Sequence, residues 1–295
     1  MEYRITHSTT YTYSDPVPVS HNEVRLKSLD RGRQECLDFR LLISPEPTAI
    51  QNRFDFFGNH VTYFCIEQPH PGMTVKTTSR VVVRPREPSQ DDFPPWETLR
   101  AAVADYESPV GLAILQFAFP SPRIPRVPAL ADYARPSFPP GRTILEGAVD
   151  LTSRIHRDFE YDPRATTVST PVERVFQQRR GVCQDFAQLQ IGCLRALGLP
   201  AAYVSGYLRT IPPPGKPRLV GADASHAWVS VYCGPDQGWI DLDPTNDSMT
   251  DTDHVVLARG RDYSDVTPIR GVFLGGTSHT LRVSVDVEPL PVSVG

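Results

Sequence analysis

Residues 180–200, Arg-Gly-Val-Cys-Gln-Asp-Phe-Ala-Gln-Leu-Gln-Ile-Gly-Cys-Leu-Arg-Ala-Leu-Gly-Leu-Pro, constrain this chain more than any other stretch. From Phe186 the apolar residues fall at Phe186, Leu189, Cys193, Leu194 and Leu197, the i, i+3, i+4 rhythm of a helix that buries a face. Gly198 and Pro200 stop the helix, and Gly181 marks a turn ahead of it, so Cys183 is predicted in the first turn. A thiol there meets unpaired backbone N–H groups and the positive end of the helix dipole, a setting that favours the thiolate. A cysteine used only for packing belongs one or two turns along, where Cys193 sits.

A nucleophilic thiol needs a base, and the base needs an orienting group. Residues 224–232, Ala-Ser-His-Ala-Trp-Val-Ser-Val-Tyr, alternate with the period of a strand and carry His226 near its start. A turn at Gly234-Pro235-Asp236-Gln237-Gly238 leads to Trp239-Ile240-Asp241-Leu242-Asp243, read as the returning strand of a hairpin that Pro244 ends. An acid late in that strand can lie beside a histidine early in the first. Asp241 and Asp243 share a face, so periodicity does not choose between them.

These residues carry a resemblance. Gly-Val-Cys-Gln-Asp-Phe-Ala, Leu-Arg-Ala-Leu-Gly-Leu-Pro-Ala, Ser-His-Ala-Trp-Val and Trp239 with Asp243-Pro244-Thr245-Asn246 resemble the core of the bacterial transglutaminase-like cysteine protease family. Tyr3 to Tyr13, Arg25-Leu26 and Gly58-Asn59 to Phe64 are similar to the β-rich region that precedes this core, and Arg261-Asp262-Tyr263-Ser264-Asp265-Val266 fits its tail. The resemblance implies Cys183 as nucleophile, His226 as general base and acid, and Asp243 as orienting carboxylate. The family's Asp-Pro-Thr pattern is what selects Asp243 over Asp241. It further implies an α+β fold: a papain-like core, with the nucleophile helix packed on an antiparallel sheet, behind a β-sandwich-like N-terminal domain. The implied chemistry is thioester-forming attack on amide or peptide bonds. Water as acceptor makes the chain a protease or amidase acting on a protein or peptide; an amine acceptor makes it a protein-glutamine acyl transferase. A catalytically inactive protein-binding module is the third reading.

Composition narrows the classes further. A net charge of −4 is the wrong sign for a nucleic-acid surface or an anionic membrane. No positively charged start precedes an apolar run and no long apolar span occurs, so the expectation is a cytoplasmic protein. The five cysteines are widely spaced with no Cys-x-x-Cys pair, which suits reduced thiols better than disulfides or zinc. No calcium-type Asp-rich loop is present, and neither a metal nor a cofactor is expected. The oligomeric state has no sequence signature.

Along the chain, 1–85 read as short β-strands with a hairpin turn at Gly58-Asn59. Residues 86–140 read as a Pro-rich connector with some helix: seven prolines fall between Phe119 and Pro140, too many for a helix or central strand. Two Pro-x-x-Pro matches with arginines in 122–128 also suit a ligand for a proline-recognising domain. Residues 141–295 read as the core together with the C-terminal strands. It opens on a helix capped at Thr143, followed by a short helix with Pro171 at N1, and 211–215 form a loop. Gln184, Trp228 and Tyr207 are candidate substrate contacts. Gln184 and Asp185 suit capping of the nucleophile helix better than chemistry, and Trp228 and Trp239 suit groove wall and core alike. The Cys183 N–H is one expected oxyanion donor, and the second has no sequence signal.

Overall fold

The computed structural model describes residues 1–86, 92–104, 109–210, 224–275 and 278–291. The predicted loop at 211–215 lies outside them. Two four-stranded antiparallel sheets and one five-stranded sheet organise the chain. In the first, the strands run His279–Leu290, Glu2–Val17, His70–Val83, Gln34–Ser44; in the second, Ile269–Leu274, Val19–Val24, His60–Ile66, Ala49–Phe54. Alternating burial along Glu2–Val17 and His70–Val83 turns Tyr3, Ile5, Val75, Val81 and Val83 inward, to meet Phe64 and Ile66 of the second sheet in one apolar cluster.

The core sheet is ordered Ser248–Met249, Trp239–Asp243, Ala224–Tyr232, Ala201–Leu208, His254–Gly260. The helix Cys183–Ala196 packs on one face of it, over Ala201, Tyr203, Ala227, Val229 and Leu242. This helix is covered all round, by the sheet below and by helices Pro128–Ala134, Ile144–Asp158 and Val172–Gln178. The Ile144–Asp158 helix carries the predicted capping box, Thr143 Oγ1 accepting from the Glu146 N–H and the Glu146 carboxylate accepting from Thr143. Pro171 stands one place earlier than expected, as the extended N-cap of Val172–Gln178. Among the described residues no helix is long and apolar enough to cross a membrane.

Two expectations about layout are corrected. The C-terminal strands do not extend the core: Ile269–Leu274 pairs with Val19–Val24, and His279–Leu290 pairs with Glu2–Val17 along its length. The last strands therefore finish the N-terminal sheets, because their alternating apolar residues Val285 and Val287 enter that cluster. Nor is the stretch after Phe119 a surface wrap. Ile124, Val127 and Leu130 are buried against the cysteine helix, and Pro128 opens a helix at N1, where a missing N–H costs nothing. Buried Arg195 anchors this segment by donating to the Phe117 carbonyl and the Ser121 hydroxyl, and also to the Ala201 and Arg261 carbonyls. With Ile124 and Val127 inside, the Pro-x-x-Pro stretch is not displayed as a ligand. Leu130→Ala is expected to cost about 2–5 kcal/mol in chemical denaturation, as a core truncation does; a wrapped connector would lose almost nothing.

Candidate active site

The ladder that positions Cys183 is short. Glu160–Tyr161 pairs in parallel with Arg180–Gly181, pinning the chain just before the helix. Val182 is extended, and the helix starts at Cys183. Asp185 folds back so that its Oδ2 accepts from the Val182 N–H at 2.9 Å and from Thr166 Oγ1 at 2.6 Å. A Cβ on Gly181 would stand 2.7 Å from that oxygen, so the turn needs glycine. Burial pushes the Asp185 carboxyl up from its ordinary value, against those two hydrogen bonds. Its work is structural, holding the helix N-terminus.

The hairpin register places Val229 opposite Leu242 and Tyr232 opposite Trp239. His226 then reaches across to the end of the returning strand, and its Nε2 lies 2.7 Å from Asp243 Oδ2. Cys183 lines the same cavity as this imidazole, close enough for the thiol to act on its protonation. With Nε2 taken by Asp243, Nδ1 is the nitrogen left for the thiol. Asp241 is turned elsewhere, accepting from Trp228 Nε1 at 3.1 Å and from Arg259 Nη2 at 3.1 Å.

Asp243 is fully buried and collects donors. Besides His226, its Oδ2 accepts from Asn246 Nδ2 at 2.6 Å and from His254 Nε2 at 3.1 Å, and Oδ1 accepts from the Thr245 N–H at 2.9 Å. Burial alone would raise this carboxyl, but the hydrogen bonds from His226, His254 and Asn246 hold it far below the usual carboxylate range. For His226 burial works downward, and hydrogen bonds to Asp243 and Cys183 overcome it, so the imidazolium is favoured. Burial pushes the Cys193 and Cys233 thiols up to about 12. His226, Asp243 and His254 have ligand atoms within 4.8 Å of one another and are the described group that could hold a metal ion. Here both histidines spend Nε2 on the carboxylate, so a metal would have to displace both protons.

A cavity of about 240 Å³ opens at Cys183 and His226. Gln184, Tyr203, Ser205 and Tyr263 line its core side, and His7, Thr9, Tyr11, Leu281 and Val283 of the N-terminal sheet line the other.

Comparison with known proteins matches both halves. Residues 3–82 match the bacterial transglutaminase-like N-terminal region, and residues 132–244 match the transglutaminase-like superfamily. An uncharacterized protein of Mycobacterium tuberculosis (strain H37Rv) is 44% identical over 295 residues, covering 97% of this chain and 92% of that protein. The chain belongs to the bacterial transglutaminase-like family. A Pseudomonas aeruginosa protein-glutamine gamma-glutamyltransferase is 35% identical over 124 residues, covering 41% of this chain and 18% of that one. The crystal structure of a candidate cysteine protease from Cytophaga hutchinsonii shares the fold, with a TM-score of 0.73 at 20% identity and 98% of each chain covered.

Within this transglutaminase-like frame, the predicted substrate contacts part company. Gln184 lines the cleft and donates Nε2 to the Val168 carbonyl at 3.2 Å. Trp228 does not: it is fully buried, in contact with the rings of His226 and His254 on the opposite side of the sheet. Tyr207 is also buried and does not line the cleft; its hydroxyl lies 2.9 Å from Nδ1 of His7, which does. Sequence reasoning missed His254, Asn246 and the cleft wall at Tyr203 and Tyr263. Asn246 had a signal, lying just past the Asp-Pro turn; His254 had none, because it comes from a strand on the far edge of the sheet.

The shifts at Asp243 and His226 set a pH window for stability. Asp243, depressed when folded, stabilises fully above about 4 and loses this as pH falls towards its folded value; His226, raised when folded, stabilises fully below about 6.5 and loses this as pH rises towards its folded value. Wild type minus Asp243→Asn in urea denaturation is therefore expected to be largest between about pH 4 and 6.5 and to shrink on both sides. A flat difference would mean that the pair is not ionised in the fold.

Proposed function

We propose that the chain is a thiol enzyme acting on amide bonds of a protein or peptide through Cys183, His226 and Asp243. The observation that carries this is the convergence at one cleft of Cys183, at a helix N-terminus, with His226, whose Nε2 is bonded to buried Asp243. The Cys183 thiolate attacks the carbonyl carbon, forming the C–S bond, and the oxyanion is received at the helix N-terminus. His226 passes its proton to the departing amine as the C–N bond breaks, leaving a thioester. Water, deprotonated by His226, then releases a carboxylic acid. Hydrolysis of the protease or amidase kind is the first reading. A primary amine in place of water gives acyl transfer, a second reading supported by the partial match to a gamma-glutamyltransferase. Asp243 holds the imidazole by Nε2 and balances its charge. The chemistry needs no metal, so a chelator is expected to leave it unchanged.

Iodoacetamide is expected to label Cys183 ahead of the four other thiols at neutral pH, read by mass spectrometry, and His226→Ala is expected to lower that rate at least tenfold. Labelling of Cys183 no faster than Cys36 would remove the enzyme reading and leave the binding module. Running the turnover assay with and without a primary amine, and weighing the products, separates hydrolysis from transfer.

The N-terminal sheet is proposed to position the substrate, since it supplies one wall of the cleft. Leu281 and Val283 are half exposed there, so replacing both by Ser removes contact surface without opening a core. The double variant is expected to raise KM severalfold while Cys183 alkylation stays at the wild-type rate. An unchanged KM would assign that wall a structural role only.

A further inference from the structure

Behind the triad, on the side of the core sheet away from the cysteine helix, lies a second cavity of about 470 Å³, between the core and the segment 29–34 of the N-terminal module. Its size falls in the roughly 300–1,000 Å³ range of small-molecule sites. Apolar walls come from Leu29, Val83 and Val256, and Trp228 and Trp239 line it as well. The charges on it are lopsided. Arg31, Arg33, Arg86 and Arg259 line it, against the single carboxylate of Asp241, in a chain whose net charge is −4. Arg259 is paired with Asp241 at 3.1 Å, and Arg33 with Asp251 at 3.3 Å. Among the described residues, neither the Arg31 nor the Arg86 guanidinium has an acidic partner. Burial lowers the pKa of Arg259, Asp241 raises it back in part, and the nearby Arg31 charge lowers it again.

His254 lines the cavity and also touches the triad carboxylate. Its Nε2 donates to Asp243, while its Nδ1 is buried with no hydrogen-bond partner. A chamber with apolar and aromatic walls at Leu29, Val83, Val256, Trp228 and Trp239, and two guanidinium groups with no described acidic partner, fits one chemistry: an apolar body carrying an anionic head. We propose that this cavity is a binding site for a small organic carboxylate with an apolar or aromatic body, its carboxylate held by Arg31 and Arg86 and its body against Trp228 and Trp239. The site lies one residue from the triad carboxylate, through His254, and is separate from the cleft that holds Cys183.

The chain has three tryptophans, and two of them line this cavity, so their emission reports on occupancy. Titrate 4-phenylbutyrate into wild type and into Cys183→Ser, with 4-phenylbutylamine as the probe of opposite charge. The expected result is a saturable change in emission with the carboxylate, equal in both proteins, with the His254 imidazole resonance shifting in step. The amine is expected to give no saturable change. Arg31→Gln with Arg86→Gln is expected to weaken binding about tenfold or more, the loss of charge-assisted contacts. Both side chains lie at the cavity without a described structural bond, so the variant is expected to fold, checked by its denaturation midpoint. No saturation up to 10-fold above a typical millimolar Kd (about 10 mM), equal response to the amine, or unchanged affinity in a folded double variant would each overturn the site. Because Cys183→Ser also carries the measurement, loss of the thiol-enzyme reading leaves this test intact.

Discussion

One carboxylate bears the arrangement. Asp243 is removed from water at the end of a strand, where an unpaired charge would cost several kcal/mol. It is tolerated because donors converge on it from separate parts of the chain: His226 from the neighbouring strand, the Thr245 N–H and Asn246 from the turn that Pro244 forces, and His254 from the far edge of the sheet. Its charge in turn fixes the Nε2 side of His226, so the other ring nitrogen is presented to Cys183. Gly206 is a condition for this. On the strand between His226 and Val256 a Cβ would stand 2.2 Å from the Val255 carbonyl oxygen and 2.3 Å from the Trp228 ring. Only without a side chain there can Trp228 lie flat across the strand and hold the two histidines over Asp243.

The N-terminal module joins the core through amides rather than through a large apolar seam alone. The strand His254–Gly260 is an edge, and an open edge offers unpaired N–H and C=O groups. Gln34 closes part of it, Oε1 accepting from the Val256 N–H while Nε2 donates to the Val256 carbonyl. Asn59 does the same one step along, bridging the N–H and carbonyl of Arg259. Each side chain thus imitates a neighbouring strand. That docking brings Thr9, Tyr11, Leu281 and Val283 to face Cys183, so the cleft has two walls from distant parts of the sequence.

What was legible in the sequence was local or motif-bound. The cysteine helix, its hairpin partners and the Thr143 cap depend on periodicity and neighbouring residues, and these read directly. What escaped depends on tertiary geometry. The prolines at 120, 122, 125 and 128 suggested an extended wrap because proline breaks interior helices, yet Pro128 sits at N1 and Ile124 and Leu130 supply a core face. The strands after 267 read as strands, but their sheet is chosen by partners more than two hundred residues away, such as Ile5 opposite Val287. Trp228 read equally as groove wall or core, and its ring is core: it fills the space that Gly206 leaves open and packs against His226 and His254. His254 could not be placed at all, since nothing local links it to Asp243.

The core sheet therefore works on both faces. On one, Cys183 at its helix N-terminus and His226 share a cleft of mixed aromatic and polar walls, where the proposed chemistry would take place. On the other, Trp228, His254 and Asp241 back onto a chamber with excess positive charge. Asp243 is the element common to both: its Oδ2 accepts from His226 and His254 at once. Ordinary triad architecture needs only one histidine on its acid. A second, with an unsatisfied buried nitrogen, costs stability, and against that cost stand the packing of Trp228 beside both rings and the Asn246 and Thr245 donors that help keep Asp243 ionised.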